Sequence, residues 1–247
     1  MGEALLGGLV ASAWAQPGEL AVVEPIAARR EELAERFPGV HLSAEPVSAG
    51  GAVVAVKPGD VPAACRSLQV DRLLSIAAGV TIATLEAAAG SIPVVRAMPN
   101  TPSLVGAGAA AIAGGSAATD DDLAWAEGIL GAVGEVVRVP EKLLDAVTGL
   151  SGSGPAYVFL VAEALIDAGV LAGLPRDVST TLAVQTLLGS ARLLAESGDT
   201  APELRAAVTS PGGTTASGLR ELERHGVRAA FLDAVTAAAD RSRQLGA

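Results

Sequence analysis

The sequence predicts an α/β protein, in which a Rossmann-like, mostly parallel sheet without its first strand is followed by an all-helical region. From Leu20 to about Val139, short Val-rich runs alternate with helical patterns. Such alternation, with apolar strands that lack a polar face, indicates a parallel sheet covered on both sides. After Pro140 only helical patterns follow. We therefore expect two domains, residues 1–140 and residues 141–247.

The elements of the first half follow from local patterns. The predicted strands are Leu20–Glu24, Val40–Leu42, Ala52–Val56, Leu73–Ala77, Pro93–Ala97, Ala109–Ala113 and Glu135–Val139. The helices predicted between them are Ile26–Phe37, Val61–Leu68, Ile82–Ala89 and Asp120–Val133. The last helix has Thr119 as a candidate N-cap and an acidic first turn, which the helix dipole favours.

The second half of the sequence predicts helices whose apolar surfaces must be buried by further packing. They are Lys142–Gly149, Pro155–Ala172, Asp177–Glu196, Pro202–Ala207, Thr215–Arg224 and Arg228–Gln244, with glycine or proline at most junctions. Helices Pro155–Ala172 and Asp177–Glu196 carry apolar residues over more of their surface than one helix face. Helices of that kind require packing on several sides, and so few helices cannot cover one another. We expect a homodimer or a higher homo-oligomer; a compact monomer is the alternative.

Composition and charge exclude several classes of partner. The net charge of −10 argues against nucleic acid, because phosphate binding requires a basic patch. No apolar run predicts a membrane span and the start lacks a basic signal segment, so we expect no membrane partner and a cytoplasmic location. Cys65 is the one cysteine, which excludes an internal disulfide and a multi-cysteine metal site. No metal is expected.

A run of hydroxyl and glycine residues, Thr209–Glu221, surrounds the start of a predicted helix. Free N–H groups at a helix N-terminus bind small anions such as carboxylates. Gly212 and Gly213 let the backbone approach a ligand without a Cβ in the way. This segment predicts an anion site; an ordinary capped loop is the alternative.

The N-terminus predicts the end of a dinucleotide-binding turn. A helix beginning at Gly2 would follow a first strand and a G-x-G-x-x-G turn, with Gly2 as its last glycine. Glu24 closes a predicted strand where a ribose diol would bind; a solvated acid is the alternative. In the 3-2-1-4-5-6 strand order, strand 1 lies between strands 2 and 4. We therefore expect two unpaired edges and weakened cofactor binding, from a mis-set start or a truncated chain.

Six ordered motifs carry a family resemblance. They are M-G-E-A-L at 1–5, V-A-V-K-P at 54–58, A-A-G-V-T-I at 77–82, V-R-A-M-P-N-T-P at 95–102, D-A-V-T-G-L-S-G-S-G-P-A-Y at 145–157 and V-T-S-P-G-G-T-T at 208–215. With these motifs the chain resembles the pyrroline-5-carboxylate reductase family. The resemblance implies hydride transfer to the cyclic imine 1-pyrroline-5-carboxylate, giving L-proline in the last step of proline biosynthesis. It implies NADP(H) as cofactor, with NAD(H) as the alternative.

The resemblance also implies site residues. Thr215 would polarise or protonate the ring nitrogen, and neither histidine lies in a matched motif. The substrate carboxylate would be held by Ser210, Gly212, Gly213, Thr214 and Thr215, in part through the N–H groups of the last three. Glu141 resembles a position lining the substrate pocket; a solvated acid opening a helix is the alternative. The cofactor-binding residues implied are Gly2, Glu24, Ala55, Val56, Lys57, Pro58, Ala77, Ala78, Gly79, Met98 and Asn100.

Departures from the family pattern keep other functions open. The first strand and early glycines are absent, and the stretch Ser43–Ala52 is short. Glu24 stands where members that favour NADP(H) often have a small or polar residue, although Arg29 or Arg30 would reach a 2′-phosphate. The alternatives are a non-catalytic remnant that serves as a helical dimerisation module and a reductase of another cyclic imine. A 2-hydroxyacid-type dehydrogenase is disfavoured, because only Lys142 could supply its lysine.

Overall fold

The computed structural model describes residues 1–246 and confirms the predicted α/β class. The chain divides into two compact units. The first is formed by residues 1–153 together with the C-terminal segment from Thr236, and the second by Gly154–Val235. The domain boundary predicted between residues 140 and 141 stays a prediction.

The strands of the first unit form three sheets within residues 1–246. They are β1 (Ala21–Val23), β2 (His41–Ser43), β3 (Ser48–Ala49), β4 (Ala52–Val54), β5 (Gln69–Val70), β6 (Leu73–Ser75), β7 (Val94–Met98), β8 (Gly108–Gly114) and β9 (Gly134–Arg138). The main sheet has the order β4-β6-β7-β8-β9, while β1-β2 and β3-β5 are separate pairs. All pairs are parallel except β7 with β8. The prediction of a mostly parallel sheet is confirmed, and each predicted strand is present.

The helices of the first unit lie between these strands. They are α1 (Gly2–Ala11), α2 (Ala27–Arg36), α3 (Val61–Arg66), α4 (Ile82–Ala89), α5 (Asp120–Gly131) and α6 (Leu144–Val147). The predicted N-cap of α5 is confirmed, because Thr119 Oγ1 accepts the Asp122 N–H at 3.4 Å and Asp122 accepts the Thr119 N–H at 2.9 Å. This reciprocal pair satisfies two groups that a helix start otherwise leaves unbonded.

Both faces of the main sheet are buried. Successive strand residues point to opposite faces, and Leu73 and Val94 belong to one apolar cluster while Leu74 and Val95 belong to another. All four side chains are 1% exposed or less. Since helices cover both faces, the carboxyl ends of the strands are where such a sheet can accept a ligand.

Small residues allow close contacts in this aromatic-poor core. Gly8 lies against Val133, and a Cβ there would overlap the valine side chain. Gly134 pairs with Gly108 across β8 and β9, and a Cβ on Gly134 would overlap the Gly108 backbone. The core thus gains contact through short distances between backbones as well as through large side chains.

Two of the unpaired strand edges within residues 1–246 belong to β1 and β4. Strand β1 pairs only with β2. Strand β4 is the first strand of the main sheet and pairs only with β6, so its other edge is unpaired in the described part of the chain. These are the edges that the 3-2-1-4-5-6 order predicts on either side of strand 1. Helix α1 contacts both parts, because Glu3 forms salt bridges with Arg29 and Arg36 of α2 while Gly2 lies beside Ala55, just after β4.

The second unit is helical. It contains α7 (Gly154–Leu171), α8 (Arg176–Glu196), α9 (Ala201–Ala207), α10 (Thr214–Arg224) and the first part of α11 (Val227–Leu245). Helices α7 and α8 pack closely where the Ser179 hydroxyl donates to the Ile166 carbonyl at 2.7 Å. The large apolar side chains that α7 and α8 expose include Val158, Phe159, Leu160, Leu165, Leu182, Val184, Leu188, Leu193 and Leu194.

One helical stretch of 31 residues, Glu141–Leu171, has the length and composition of a membrane span, since an 18-residue window within it has a mean hydropathy of 1.5. The expectation that no apolar run predicts a membrane span was wrong, because a π-helical turn, Thr148–Gly152, bridges the interval between the predicted helices Lys142–Gly149 and Pro155–Ala172. The Ser153 N–H donates to the Thr148 carbonyl at 2.8 Å. The hydroxyl groups of Thr148 and Ser151 donate to carbonyls four residues earlier, a bond that bends helices.

Candidate functional site

The predicted cofactor-binding segments meet at the carboxyl edge of the main sheet. Ala55–Pro58 follow β4 and Ala77–Gly79 follow β6, which are parallel neighbours. The Ile76 N–H donates to the Val54 carbonyl at 3.1 Å, so the strands stay paired up to these loops. Met98 ends the next strand, β7, and Asn100 follows two residues later. In open α/β sheets ligands bind at this edge.

Two glycines among the predicted residues mark places where the backbone allows close approach. Gly79 has a φ of +75°, a conformation that strains any residue with a Cβ. Gly2 begins α1, and a Cβ there would lie 3.0 Å from Ala55 Cβ. Lys57, between Ala55 and Pro58, has an exposed side chain. These positions lie at one edge of the sheet, and their role in binding a cofactor stays a prediction.

A cavity of about 470 Å³ opens at this edge, within the first unit. Three predicted cofactor residues line one side: Pro58, Ala78 and Gly79. The remaining lining comes from Thr148, Ser153 and the end of α11, namely Ala238, Arg241, Ser242 and Leu245. The sequence predictions did not include this second wall: Thr148 and Ser153 lie in the 145–157 motif but were given no ligand role, and the α11 residues lie outside every recognised motif.

Glu24 lies at the end of β1, as predicted, and is tied into the chain locally. Its carboxylate accepts the Ile26 N–H at 2.9 Å. Arg30 donates to the carbonyls of Glu24 and Pro25 at 2.7 and 2.9 Å, which holds a cation beside the same strand end. Arg29 is instead paired with Glu3. Of the two arginines predicted to reach a 2′-phosphate, Arg30 is the one placed next to Glu24.

Asn100 makes structural contacts with both ends of its amide. Its Nδ2 donates to the Ser151 carbonyl at 3.0 Å, and its Oδ1 accepts the Ala109 N–H at 2.9 Å. Met98 lies against the same π-helical turn, where a Cβ on Gly152 would be 2.6 Å from the methionine Cε. Asn100 was predicted to bind the cofactor; with one N–H given to Ser151, its amide has one N–H left for such a bond.

The Glu141 carboxylate accepts hydrogen bonds from two other residues of the chain. Its Oε1 accepts the Ile82 N–H at 2.7 Å and an N–H of Arg96 at 2.8 Å. The Arg96 side chain is 10% exposed and that of Glu141 is 35% exposed. Ile82 is the first residue of α4, which follows the Ala77–Thr81 loop. These contacts connect Glu141 to the cofactor edge, and its predicted role towards substrate stays a prediction.

The predicted carboxylate-binding segment lies in the second unit, before α10. Gly212 has a φ of +68°, and a Cβ on Gly213 would overlap the Ser210 hydroxyl. The Gly213 N–H was expected to face the substrate carboxylate, but it donates to the Ser210 carbonyl at 3.1 Å. Helical bonding starts with the Ser217 N–H, which donates to the Gly213 carbonyl.

The backbone N–H groups that remain unbonded at this turn, among the described residues, are shifted by one residue from the predicted set of Gly213, Thr214 and Thr215. The N–H groups of Thr214, Thr215 and Ala216 precede that first bond and have no backbone carbonyl partner within residues 1–246. Ala216 was missed because its side chain carries no chemistry. Its N–H is left without a helical partner because Ala216 is the third residue of α10.

Comparison with known proteins identifies the family. A family model described as pyrroline-5-carboxylate reductase dimerisation matches residues 141–245. A pyrroline-5-carboxylate reductase from Synechocystis is 45% identical over 254 residues, covering 100% of this chain and 95% of the relative. The chain belongs to the pyrroline-5-carboxylate reductase family. The similarity extends over the whole chain, so the motifs in both halves of the sequence belong to the same family.

Solved structures of pyrroline-5-carboxylate reductases share the fold. One from Coxiella burnetii superposes with a TM-score of 0.93 at 34% identity, covering 100% of this chain and 95% of that one. Another, from Plasmodium falciparum with NADP bound, has a TM-score of 0.82 at 31% identity and covers 100% and 95% of the two chains. The residues of this chain fit such a dinucleotide. Gly79 carries no Cβ that would project towards a ligand, and its positive φ disfavours any residue that has one. The cavity that it lines opens at the carboxyl ends of the strands, where dinucleotides bind in this fold.

Proposed function

We propose that this protein reduces 1-pyrroline-5-carboxylate to L-proline with NADPH, the last step of proline biosynthesis, and that it does so in the cytoplasm. The observation that carries the proposal is the 45% identity to a named reductase over the whole chain. The balanced reaction adds a hydride to the imine carbon and a proton to the ring nitrogen. Bound NADPH supplies the hydride.

The residues of the first unit bind and orient the cofactor. Ala55–Pro58 and Ala77–Gly79 form the edge against which the nucleotide lies, with Gly2 at the start of α1 and Met98 and Asn100 at the end of β7. Holding a hydride donor in a fixed geometry removes much of the entropic barrier to reaction. Small residues at this edge permit that close approach.

The residues of the second unit bind the substrate carboxylate. Ser210 and the glycine turn place the N–H groups of Thr214, Thr215 and Ala216 at the positive end of α10, where anions are stabilised. The Thr215 hydroxyl polarises or protonates the ring nitrogen. A fixed dipole directed at developing charge is a large contribution to catalysis.

The active form is a homodimer. Helices α7 and α8 expose large apolar side chains, for example Phe159 at 63% and Leu160 at 65%. A continuous exposed apolar surface of this kind indicates a protein interface. The dimerisation family model covers the same helices, since it matches residues 141–245.

NADPH is the proposed cofactor, with NADH as the weaker alternative. Arg30 holds a positive charge beside the end of β1, where the adenosine ribose is expected. Glu24 opposes this preference because its carboxylate would repel a 2′-phosphate. The balance between these two charges sets the ratio of the two cofactor affinities.

A second candidate, a non-catalytic dimerisation module, is favoured by the unpaired edges of β1 and β4. The deciding assay follows NADPH absorbance after addition of 1-pyrroline-5-carboxylate. It uses the chain itself and a form extended before Met1 by a β-strand and a glycine-rich turn. Absence of turnover in both forms would overturn the enzyme proposal. Faster turnover with 1-piperideine-6-carboxylate, the six-membered imine, would overturn the substrate assignment.

A further inference from the structure

The end of α11 contributes a wall to the cavity at the cofactor edge. Arg241 and Ser242 line the cavity together with Ala78 and Gly79. The Gly79 backbone lies close to the end of this helix, since a Cβ on Gly79 would be 3.7 Å from the Leu245 carbonyl oxygen. Although α11 begins in the second unit, all of these residues belong to the first unit. The helix end and the Ala78–Gly79 loop therefore enclose the same space.

A hydrogen bond fixes this wall in place. Ser242 Oγ donates to Asp145 Oδ1 at 2.6 Å, which ties α11 to α6 beside the cavity. Because Ser242 is adjacent to Arg241, the bond restricts where the arginine backbone can lie. The Arg241 guanidinium donates to Gln244 Oε1 at 3.2 Å, and an arginine carries five N–H donors. Donors therefore remain for a ligand.

The charge of this wall contrasts with the rest of the molecule. The chain has a formal net charge of −10, yet Arg241 is the one charged residue among those that line the cavity, and the nearby Asp145 carboxylate accepts the Ser242 hydroxyl. Arginine binds phosphate and carboxylate groups through paired N–H donors. Both groups occur on the ligands of the proposed reaction, as the phosphates of NADPH and the carboxylate of the imine.

We propose that Arg241 is a ligand-binding residue of this cavity, where it contacts an anionic group, and that Ser242 acts through Asp145 as its positioning residue. The inference rests on the proposed function for the identity of the ligand. It adds the C-terminal helix to the residues that bind ligand.

The test measures binding without turnover. NADPH binding to the dimer is followed by isothermal titration calorimetry for the wild type, Arg241→Met and Arg243→Met. Arg243 is the matched control, because it lies on the same helix and pairs with Asp240 but does not line the cavity. We expect Arg241→Met to weaken binding by about tenfold and Arg243→Met to leave it unchanged.

A second titration separates the two anionic groups. L-proline, which carries the carboxylate without phosphate, is titrated into the complex with NADP⁺. Weaker NADPH binding with unchanged proline binding assigns Arg241 to a phosphate, and the reverse assigns it to the carboxylate. Arg241→Lys should restore part of the lost affinity. Ser242→Ala should raise the KM of the affected ligand and leave kcat nearly unchanged.

The outcomes separate the inference from the proposed function. If the wild type binds both ligands and Arg241→Met binds them equally well, the inference is overturned and the proposed function stands. If the wild type binds neither NADPH nor NADH, both are overturned. A loss that is equal for Arg241→Met and Arg243→Met would indicate a general effect of charge and would also overturn the inference.

Discussion

Glu141 and Arg96 form a salt bridge of 2.8 Å, and the same carboxylate oxygen accepts the Ile82 N–H at 2.7 Å. One side chain thus joins β7 to the first turn of α4. The loop between β6 and α4 carries Ala77, Ala78 and Gly79, so this salt bridge also fixes one end of the predicted cofactor loop. Its loss should affect both stability and cofactor binding.

Glu141→Gln tests this relationship. The substitution leaves the charge of Arg96 largely buried without its partner, and we expect a loss of about 2 kcal/mol in the free energy of unfolding in urea. The KM for NADPH should rise because the Ala77–Thr81 loop is less fixed. Glu196→Gln, in an exposed pair with Arg192, is the control and should cost less than about 0.5 kcal/mol. A raised KM for the imine alone, with stability unchanged, would favour the substrate role predicted from the sequence.

Gly79→Ala and Gly90→Ala form a matched pair, with φ angles of +75° and +78°. A Cβ at a positive φ costs about 1 kcal/mol or more, and the ψ of −132° at Gly90 lies outside the left-handed helical region. Both variants should therefore unfold at lower urea concentration. Only Gly79 lines the cavity, whereas Gly90 ends α4 with nothing within 4 Å of an added Cβ. NADPH affinity, measured by calorimetry, should fall for Gly79→Ala alone. Equal affinity in both variants would remove Gly79 from the cofactor site.

Thr215→Ala tests the proposed chemistry. Loss of the hydroxyl should lower kcat by about 100-fold or more, as for removal of a proton donor, while NADPH affinity is retained. Thr215→Ser keeps the hydroxyl and should recover most of the rate. Ser217→Ala, an exposed position on the same helix, is the control. An unchanged kcat in Thr215→Ala would show that another group serves the ring nitrogen.

Glu24→Gln tests cofactor preference. The amide oxygen can still accept the Ile26 N–H that the carboxylate now accepts at 2.9 Å, but the negative charge is gone. The ratio of kcat/KM for NADPH to that for NADH should rise about fivefold, because repulsion of a 2′-phosphate is removed. Glu24→Ser removes both charge and acceptor and should shift the ratio in the same direction. A constant ratio would contradict this role for Glu24.

Asp122 predicts a pH dependence of stability. The Thr119 backbone N–H holds the pKa of this carboxyl below its ordinary value, and Arg72 adds a smaller effect in the same direction. A lowered pKa in the folded state stabilises the protein above the unfolded value of about 3.9, and this stabilisation is lost as the pH falls through the folded value.

The measurement is the free energy of unfolding between about pH 6 and about pH 3, the range that spans the unfolded carboxyl value. Asp122→Ala should cost about 1 kcal/mol at the upper end, through loss of the capping pair, and should lessen the decline towards acid. Asp121→Ala, at the exposed neighbouring position, should keep the slope of the wild type. Parallel slopes in all three proteins would refute the assignment.

Much of the fold could be predicted from local sequence. The Val-rich runs located each longer strand, and Ile82–Ala89 matched α4 at both ends. Strands β3 and β5 were missed because two residues are too few to show a pattern. The antiparallel pairing of β7 with β8 was not predicted either, since local patterns carry no direction.

The candidate site could be predicted from the sequence less completely than the fold. Glycines and hydroxyls in motifs located the loops, but the partners of Glu141 lie 45 and 59 residues away along the chain. The Gly213 N–H, which was predicted to face substrate, donates within a tight turn to the Ser210 carbonyl, a contact that local patterns do not reveal. Arg241 lies in no motif, and only the folded chain brings it to Gly79.

The close contacts of Gly8 with Val133 and of Gly134 with Gly108 have a consequence for mutational tolerance. A core assembled from bulky rings can exchange one ring for another, whereas a position whose Cβ space is already filled by a neighbouring side chain (Gly8) or backbone (Gly134) accepts no alternative residue. A deep mutational scan should therefore find these glycines as intolerant as the catalytic positions, although they touch no ligand. Invariance alone would be a poor guide to chemistry in this protein.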